Sequence, residues 1–320
     1  ITDFSYGIYF EDGSNDGFAI NNTIKKENLN ESFQGITTDD SHGVLIENNT
    51  IQSIGDGENS YAISISDSHN NSINNNKIRD VLARGILLSR NVGTCSGNNI
   101  SNNEINDSSH DSISIRSCEA SKIFGNTIRN SKKDSLEIIG SSSNITINDN
   151  TFFNSTESAI ELGSVNNITI KDNILNLTDS DSVILLENSK NNSIYNNTIE
   201  GSGDEGIELN DESDDNIIKL NTIKNSTYDA IGVINSHNNS FYNLTLINSQ
   251  WSGLYLLNSS GNVFVDSNLS NNDLAVGNGD IAMEGANSSD TTLINISFNQ
   301  SNAVFITSGS GLFNINWYLD

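Results

Sequence analysis

The chain has 320 residues, room for one large domain or two ordinary ones, with 34% apolar and 18% charged residues, 55 Asn and no Pro. So many short polar side chains compete with helix hydrogen bonds, which argues against a helical bundle, and no aliphatic run approaches the ~20 residues that span a bilayer. Forty-one acids against 15 bases leave a net charge of −26, which repels phosphate backbones and anionic membranes and excludes nucleic acid as a partner.

The apolar residues are periodic, returning every 23 to 29 residues. Each repeat opens on a small residue, read as a tight bend: Gly7, Gly35, Ala62, Gly85, Ser112, Ser135, Ala159, Ser182, Gly206, Ala230 and Gly253, with Asp280 the exception. A first strand follows, carrying Ile8, Ile36, Ile63, Ile86, Ile113, Leu136, Ile160, Val183, Ile207, Ile231, Leu254 and Ile281. Two residues on stand Phe10, Thr38, Ile65, Leu88, Ile115, Ile138, Leu162, Leu185, Leu209, Val233, Leu256 and Met283. A spacing of two puts both members on one face of a strand and the residue between them on the other. Later in the repeat come single apolar residues: Ala19, Ile46, Ile73, Ile100, Ile123, Ile147, Ile170, Ile194, Ile218, Phe241, Phe264 and Leu293. Five residues after each of these, the repeat closes on Ile24, Ile51, Ile78, Ile105, Ile128, Phe152, Leu175, Ile199, Ile223, Leu246, Leu269 and Phe298.

Two or three short strands per repeat, with no helical partner, bury one apolar face only when coils of parallel strands stack on one another. Equivalent residues would then lie about 4.8 Å apart, and twelve coils would make a rod roughly 55–60 Å long. The missing proline fits, because a strand paired on both sides needs every backbone donor. Two residues before the closing position, Asn22, Asn49, Asn76, Asn103, Asn126, Asn150, Asn173, Asn197 and Asn221 recur, and are read as a structural ladder of stacked amides.

The phrase Gly-Ile-x-Ile/Leu followed by Asn-Asn-x-Ile-x-x-Asn-x-Ile, as in Ala62-Ile63-Ser64-Ile65 and Asn70-Asn71-Ser72-Ile73-Asn74-Asn75-Asn76-Lys77-Ile78, resembles the right-handed parallel β-helix repeat of NosD-like and pectate-lyase-like proteins. The resemblance covers nearly the whole chain and implies an all-β, right-handed parallel β-helix of about twelve to thirteen turns, a single domain over 1–320. Asn-rich repeats and the closing Asn316-Trp317-Tyr318-Leu319-Asp320 are similar to archaeal cell-surface proteins. The family includes enzymes, adhesins and structural proteins, so fold alone leaves function open.

The chemistry-bearing residues follow in chain order. His42 and His69 each lie nine residues before a closing position, as does the isolated His237, and are read as turn residues rather than metal ligands; the compressed phrase Asp39-Asp40-Ser41-His42-Gly43 is not the polygalacturonase pattern. Cys95 and Cys118 each precede a closing residue by ten, so they should meet on neighbouring coils as a disulfide, which implies an oxidising compartment. Glu137 and Glu161, outward on successive first strands, are the catalytic candidates, with Glu208 in the same column and Arg116 beside them as a uronate contact. They would share one side of a strand instead of flanking a sugar bond, so catalysis is the minor reading. The densest acidic run, from Asp204 and Glu205 past Glu208 to Asp211, Glu212, Asp214 and Asp215, is mostly solvated turn, with the last four as Ca²⁺ candidates.

The first residue is Ile, which suggests a processed chain or a segment of a longer surface protein. About twenty Asn-x-Ser/Thr sequons permit glycosylation outside the cell. Uncapped ends and outward aromatics such as Tyr9, Trp251 and Tyr255 suggest end-to-end or lateral self-association. The leading expectation is an extracellular, non-catalytic structural protein of a surface layer, sheath or filament, with adhesion as a further role; the alternative is a β-helix that binds or processes polysaccharide.

Overall fold

A computed structural model describes residues 5–26, 32–55, 60–274, 279–285, 288 and 290–298, and the backbone of Val304–Ile306 and Asn316–Tyr318. Every regular element is a β-strand; among the described residues there is no helix, and so none long and apolar enough to cross a membrane. The chain divides into two compact units, Ile1–Ile160 and Glu161–Asp320. In both, three strands per coil feed three sheets, and each strand pairs in parallel with its counterpart in the next coil. The fold is a right-handed parallel β-solenoid, and among the described residues its strands complete twelve three-strand coils.

The periodic isoleucines set the register. In the first unit Ile36 pairs with Ile63, Ile63 with Ile86, Ile86 with Ile113 and Ile113 with Leu136, all fully buried. In the second, Ile207 pairs with Ile231, Ile231 with Leu254 and Leu254 with Ile281. β-Branched side chains suit the pleated surface, and each one buried is worth about 1.5–3 kcal/mol, so the stacked columns are the main stabilising feature.

One column differs from the sequence expectation. Ile184, not Val183, pairs with Ile207, and Leu186, not Leu185, pairs with Leu209. Val183-Ile184-Leu185-Leu186 is aliphatic throughout, so an alternation of two has no phase there, and a slip of one residue exchanges the faces. Val183 thereby takes the small-residue position, and Leu185 faces outward beside Glu208. The small residues also have a different cause from a bend. Gly85 keeps a negative φ, and a Cβ on it would lie 2.4 Å from the Ser112 carbonyl oxygen; what the position requires is close backbone approach.

Asparagine and aspartate hold the corners. Between the second and third sheets a single residue has a left-handed backbone: Asn21, Asn48, Asn75, Asn102, Gly125 and Asp149 in the first unit, Asp172, Asn196, Leu220, Asn243, Asp266 and Asn295 in the second. Asn and Asp tolerate that conformation better than other side-chain-bearing residues, which accounts for much of the composition. The next residue is the ladder Asn. Asn76 Nδ2 donates to Asn103 Oδ1 at 3.0 Å and to the Ile46 carbonyl at 2.9 Å, while Asn76 Oδ1 accepts from the backbone and side chain of Asn49. Asn103–Asn126, Asn126–Asn150, Asn173–Asn197 and Asn197–Asn221 repeat the contact at 3.0 Å, and Asn22 donates to Asn49 at 2.9 Å. With both amide hydrogens and the oxygen engaged, the cost of taking a buried Asn out of water is offset by its hydrogen bonds.

A second amide ladder, not anticipated, runs through Asn192, Asn216, Asn239 and Asn262, each accepting a backbone N–H from the preceding coil. A serine ladder does the same through Ser189, Ser213, Ser236 and Ser259. Cys95 and Cys118 occupy the equivalent column of the first unit and are joined as a disulfide across a Cα–Cα distance of 4.7 Å. Cys118 N–H still donates to Ser142 Oγ, the next member of the hydroxyl column.

Candidate functional site

In the second unit, the loops that lead from the third sheet into the first lie in register and carry most of its unusual polar groups. The Tyr228 N–H donates to the Asp204 carbonyl, and the Trp251 N–H to the Tyr228 carbonyl, so these three residues form one column. Closer to the sheet stand Ser182, Glu205, Asp229 and Ser252; Asp229 is fixed by the Ser252 N–H at 2.6 Å. The sheet itself adds an outward row: Leu185 beside Glu208, Glu208 beside Gly232, Gly232 beside Tyr255, and Tyr255 beside Ala282.

Ser182 is the centre of this arrangement. Its Oγ lies 3.1 Å from Glu205 Oε2 and 3.0 Å from Glu208 Oε2. A hydroxyl has one hydrogen to give, so it cannot serve two ionised carboxylates fully, and a proton on one carboxyl would complete the set by donating back to the Ser182 oxygen. Electrostatics select Glu205 for the proton. Burial, followed by the charges of Glu208, Asp204 and Asp229, pushes its carboxyl up to about 9. Burial also pushes Glu208 and Asp229 up to about 7, and raises Asp204. Glu205 finds room because Gly232 has no side chain. Across the row, Tyr255 donates to Glu284 Oε2 at 3.2 Å, and its phenol is held up to about 12 by burial and by the nearby Glu284 charge.

Chemically this is a proton-holding carboxyl beside one that ionises near neutrality, the pairing that general acid–base catalysis requires. Carboxylate oxygens of Asp181, Asp204 and Glu208 also lie within 4.8 Å of one another, and are the residues that could hold a hard divalent cation.

The Ca²⁺ candidates expected from the sequence are placed otherwise. Asp214 and Glu212 meet Lys190 Nζ at 2.9 and 3.5 Å, Asp211 accepts from Asn235 Nδ2 at 3.3 Å, and Asp215 occupies a left-handed turn. Among the described residues these four are not drawn into a group of converging oxygens; Lys190 neutralises two of them. Glu137 and Arg116, in the first unit, form an ion pair at 3.0 Å, and Ser114 donates to the same Glu137 oxygen. That contact commits the guanidinium which was expected to meet a uronate. Glu161 is the outward residue of Ile160–Gly163, in the second unit. His42 and His69 stack with ring centroids 3.7 Å apart, and His237 Nδ1 accepts the Ser260 N–H at 3.0 Å.

Sequence reasoning found Glu208 and the acidic run but not the role of Ser182, Asp181, Asp229 or Gly232. The available signal was positional: Ser182, Glu205 and Asp229 all stand two residues before an inward aliphatic residue once Ile184 is given its correct register.

This geometry sits on a frame found elsewhere. No curated protein matches the sequence. Among solved structures, a variant of the periplasmic alginate epimerase AlgG is similar at 17% identity, with a TM-score of 0.69 over 87% of this chain and 76% of that one. The A-module of the Azotobacter vinelandii mannuronan C-5 epimerase AlgE4 is similar at 8% identity, TM-score 0.58, over 88% and 91%. The Agl-KA catalytic domain is similar at 16% identity, TM-score 0.60, over 97% and 62%. Such low identities establish the shared fold. The family model described as a right-handed β-helix region matches residues 1–152 and 113–268, well over half the sequence, and the chain therefore belongs to the right-handed β-helix family.

Proposed function

We propose that this protein is a secreted or surface-exposed β-helix that binds and processes a polysaccharide on the outer face of the first sheet within residues 161–320. The observation that carries the reading is the Ser182 hydroxyl held between the Glu205 and Glu208 carboxyls at 3.1 and 3.0 Å. In the proposed chemistry protonated Glu205 supplies a proton to the leaving oxygen of a glycosidic bond, and ionised Glu208 serves as base or nucleophile. Ser182 and Asp229 are positioning residues. The polysaccharide epimerases built on the same frame support a glycan as the substrate class, and the disulfide fits an oxidising compartment.

The test is incubation of the purified protein with neutral and uronate polysaccharides, following release of reducing ends and unsaturated sugars. Turnover that disappears in Glu208→Gln while binding persists supports the reading. Absence of both binding and turnover across the panel overturns it. A non-catalytic subunit of a surface layer, sheath or filament takes second place, because its support is the regularity of the coil, a property shared with the epimerase neighbours.

A further inference from the structure

Next to the acids, on the same loop column, two aromatic side chains are held in the open. Tyr228 and Trp251 are 40% and 37% exposed, although large aromatics are usually well covered. Their ring centroids are 4.8 Å apart with planes inclined at 48°, and their backbones are tied by the Trp251 N–H to the Tyr228 carbonyl at 3.2 Å. The Tyr228 N–H is bonded in turn to the Asp204 carbonyl at 3.1 Å, so the aromatic pair continues the column of Asp204. Beside it is a hollow of about 430 Å³ lined by Asn225, Ser226, Asn248, Gln250 and Leu274. Gln250 directly precedes Trp251 and is bonded through its N–H to the Ser226 carbonyl at 3.0 Å.

This combination specifies a ligand. Exposed aromatic faces stack on the C–H face of a pyranose ring, and amides and hydroxyls pair with sugar hydroxyls. The charge of the surroundings decides which sugars. Residues 161–320 contain four Lys, no Arg and twenty acids, and the loops 179–182, 201–206, 225–230 and 248–253 hold no Lys, Arg or His. Lys190 is bound to Asp214 and Glu212, and Lys219 lies 5.1 Å from the Tyr195 ring. Lys224, which precedes Asn225, is the nearest cation in sequence. A polyuronate chain laid along these loops would meet Asp181, Asp204 and Glu208 with too few cations to balance its carboxylates.

We infer that Tyr228 and Trp251 form a stacking ledge for a neutral polysaccharide, with the amide-lined hollow taking the adjoining sugar hydroxyls. The inference rests on the glycan reading above and narrows it: the substrate class differs from the alginate handled by the epimerase neighbours. The ledge holds the chain, and Glu205 directly follows Asp204, whose carbonyl anchors the ledge through the Tyr228 N–H.

The experiment measures affinity of the full chain for soluble neutral glucans and xylan, and for alginate and polygalacturonate, by affinity electrophoresis at low and moderate salt. One or more neutral glycans should be retarded and both uronates should not. Trp251→Ala and Tyr228→Ala should each weaken retardation about tenfold, and Trp251→Phe should retain most of it. Circular dichroism confirms that each variant keeps its strands. Retardation by uronates alone, by no glycan, or to the same extent in the alanine variants overturns the inference. Binding that depends on the ledge without turnover upholds it and rejects only the catalytic role. Turnover that is indifferent to Trp251 and Tyr228 does the reverse.

Discussion

Glu205 lies over the bare backbone of Gly232, so closely that a Cβ on Gly232 would stand 3.1 Å from Glu205 Cγ. The glycine is not needed for its backbone, which has an ordinary negative φ; it is needed for its vacancy on the outward row. Gly232→Leu should therefore displace the Glu205 carboxyl from Ser182 and lower its affinity for a proton. In the proposed chemistry turnover should fall at least tenfold, while the strand content by circular dichroism stays as in the parent, because the added side chain lies on the outer face of the sheet and not in the core. Unchanged turnover in Gly232→Leu would separate Glu205 from the chemistry.

The raised carboxyls make stability depend on pH in a definite direction. Glu205 titrates at about 9 when folded against an ordinary 4.5, Glu208 at about 7 against 4.5, and Asp229 at about 7 against 3.8. A raised acid favours the folded state when protonated, so its contribution is complete below about pH 4 and is lost progressively from there up to about pH 7 for Glu208 and Asp229 and about pH 9 for Glu205. The net charge of −26 adds self-repulsion of the same sign. The thermal midpoint should be higher at pH 5 than at pH 8.5, and Glu205→Gln should flatten the profile between those values. A parent midpoint that rises steadily from pH 5 to 8.5 would contradict the assignment.

Leu220 occupies a corner that Asn, Asp or Gly fills in all the other coils where that corner is described, with φ of 57° and 53% of its surface exposed. A left-handed leucine costs roughly 1–2 kcal/mol, and it buries little in return. Leu220→Asn should stabilise the protein by about 1 kcal/mol, read as a shifted midpoint in urea unfolding. A loss of stability would show that packing of the leucine, not the backbone, governs the corner.

Reduction of the disulfide between Cys95 and Cys118 should destabilise the fold by about 3 kcal/mol, the loop-closure entropy for a separation of 23 residues. The paired change Cys95→Ser with Cys118→Ser restores the hydroxyls found at this column in Ser41, Ser68 and Ser142, and so should cost less than paired alanines. Equal midpoints for the two double variants would mean that the hydroxyl column contributes nothing there.

The coil was legible in the sequence because its cause is local and repeated. One apolar column after another, and an asparagine two residues before nine of the twelve closing residues, leave a single economical arrangement. The phase of Val183-Ile184-Leu185-Leu186 was not legible, since four consecutive aliphatic residues satisfy either register. That slip decides the geometry of the proposed site. Only with Ile184 inward does Ser182 come opposite Glu205 and within reach of Glu208. Glu208 was recognisable as an outward acid, whereas the proton it shares depends on burial and on the empty place at Gly232, neither of which a repeat pattern records. The four acids from Asp211 to Asp215 looked the denser group in sequence, yet Lys190, more than twenty residues earlier, is what two of them meet.

The most direct test of the central claim is the titration of the glutamate side-chain carboxyls, followed by NMR in protein labelled with ¹³C at that carbon and assigned with Glu205→Gln and Glu208→Gln. The account predicts that Glu205 remains protonated at pH 7 and that Glu208 ionises near neutrality, with the Glu208 midpoint shifting in Ser182→Ala. Two glutamates that both ionise near 4.5 and ignore Ser182 would contradict it.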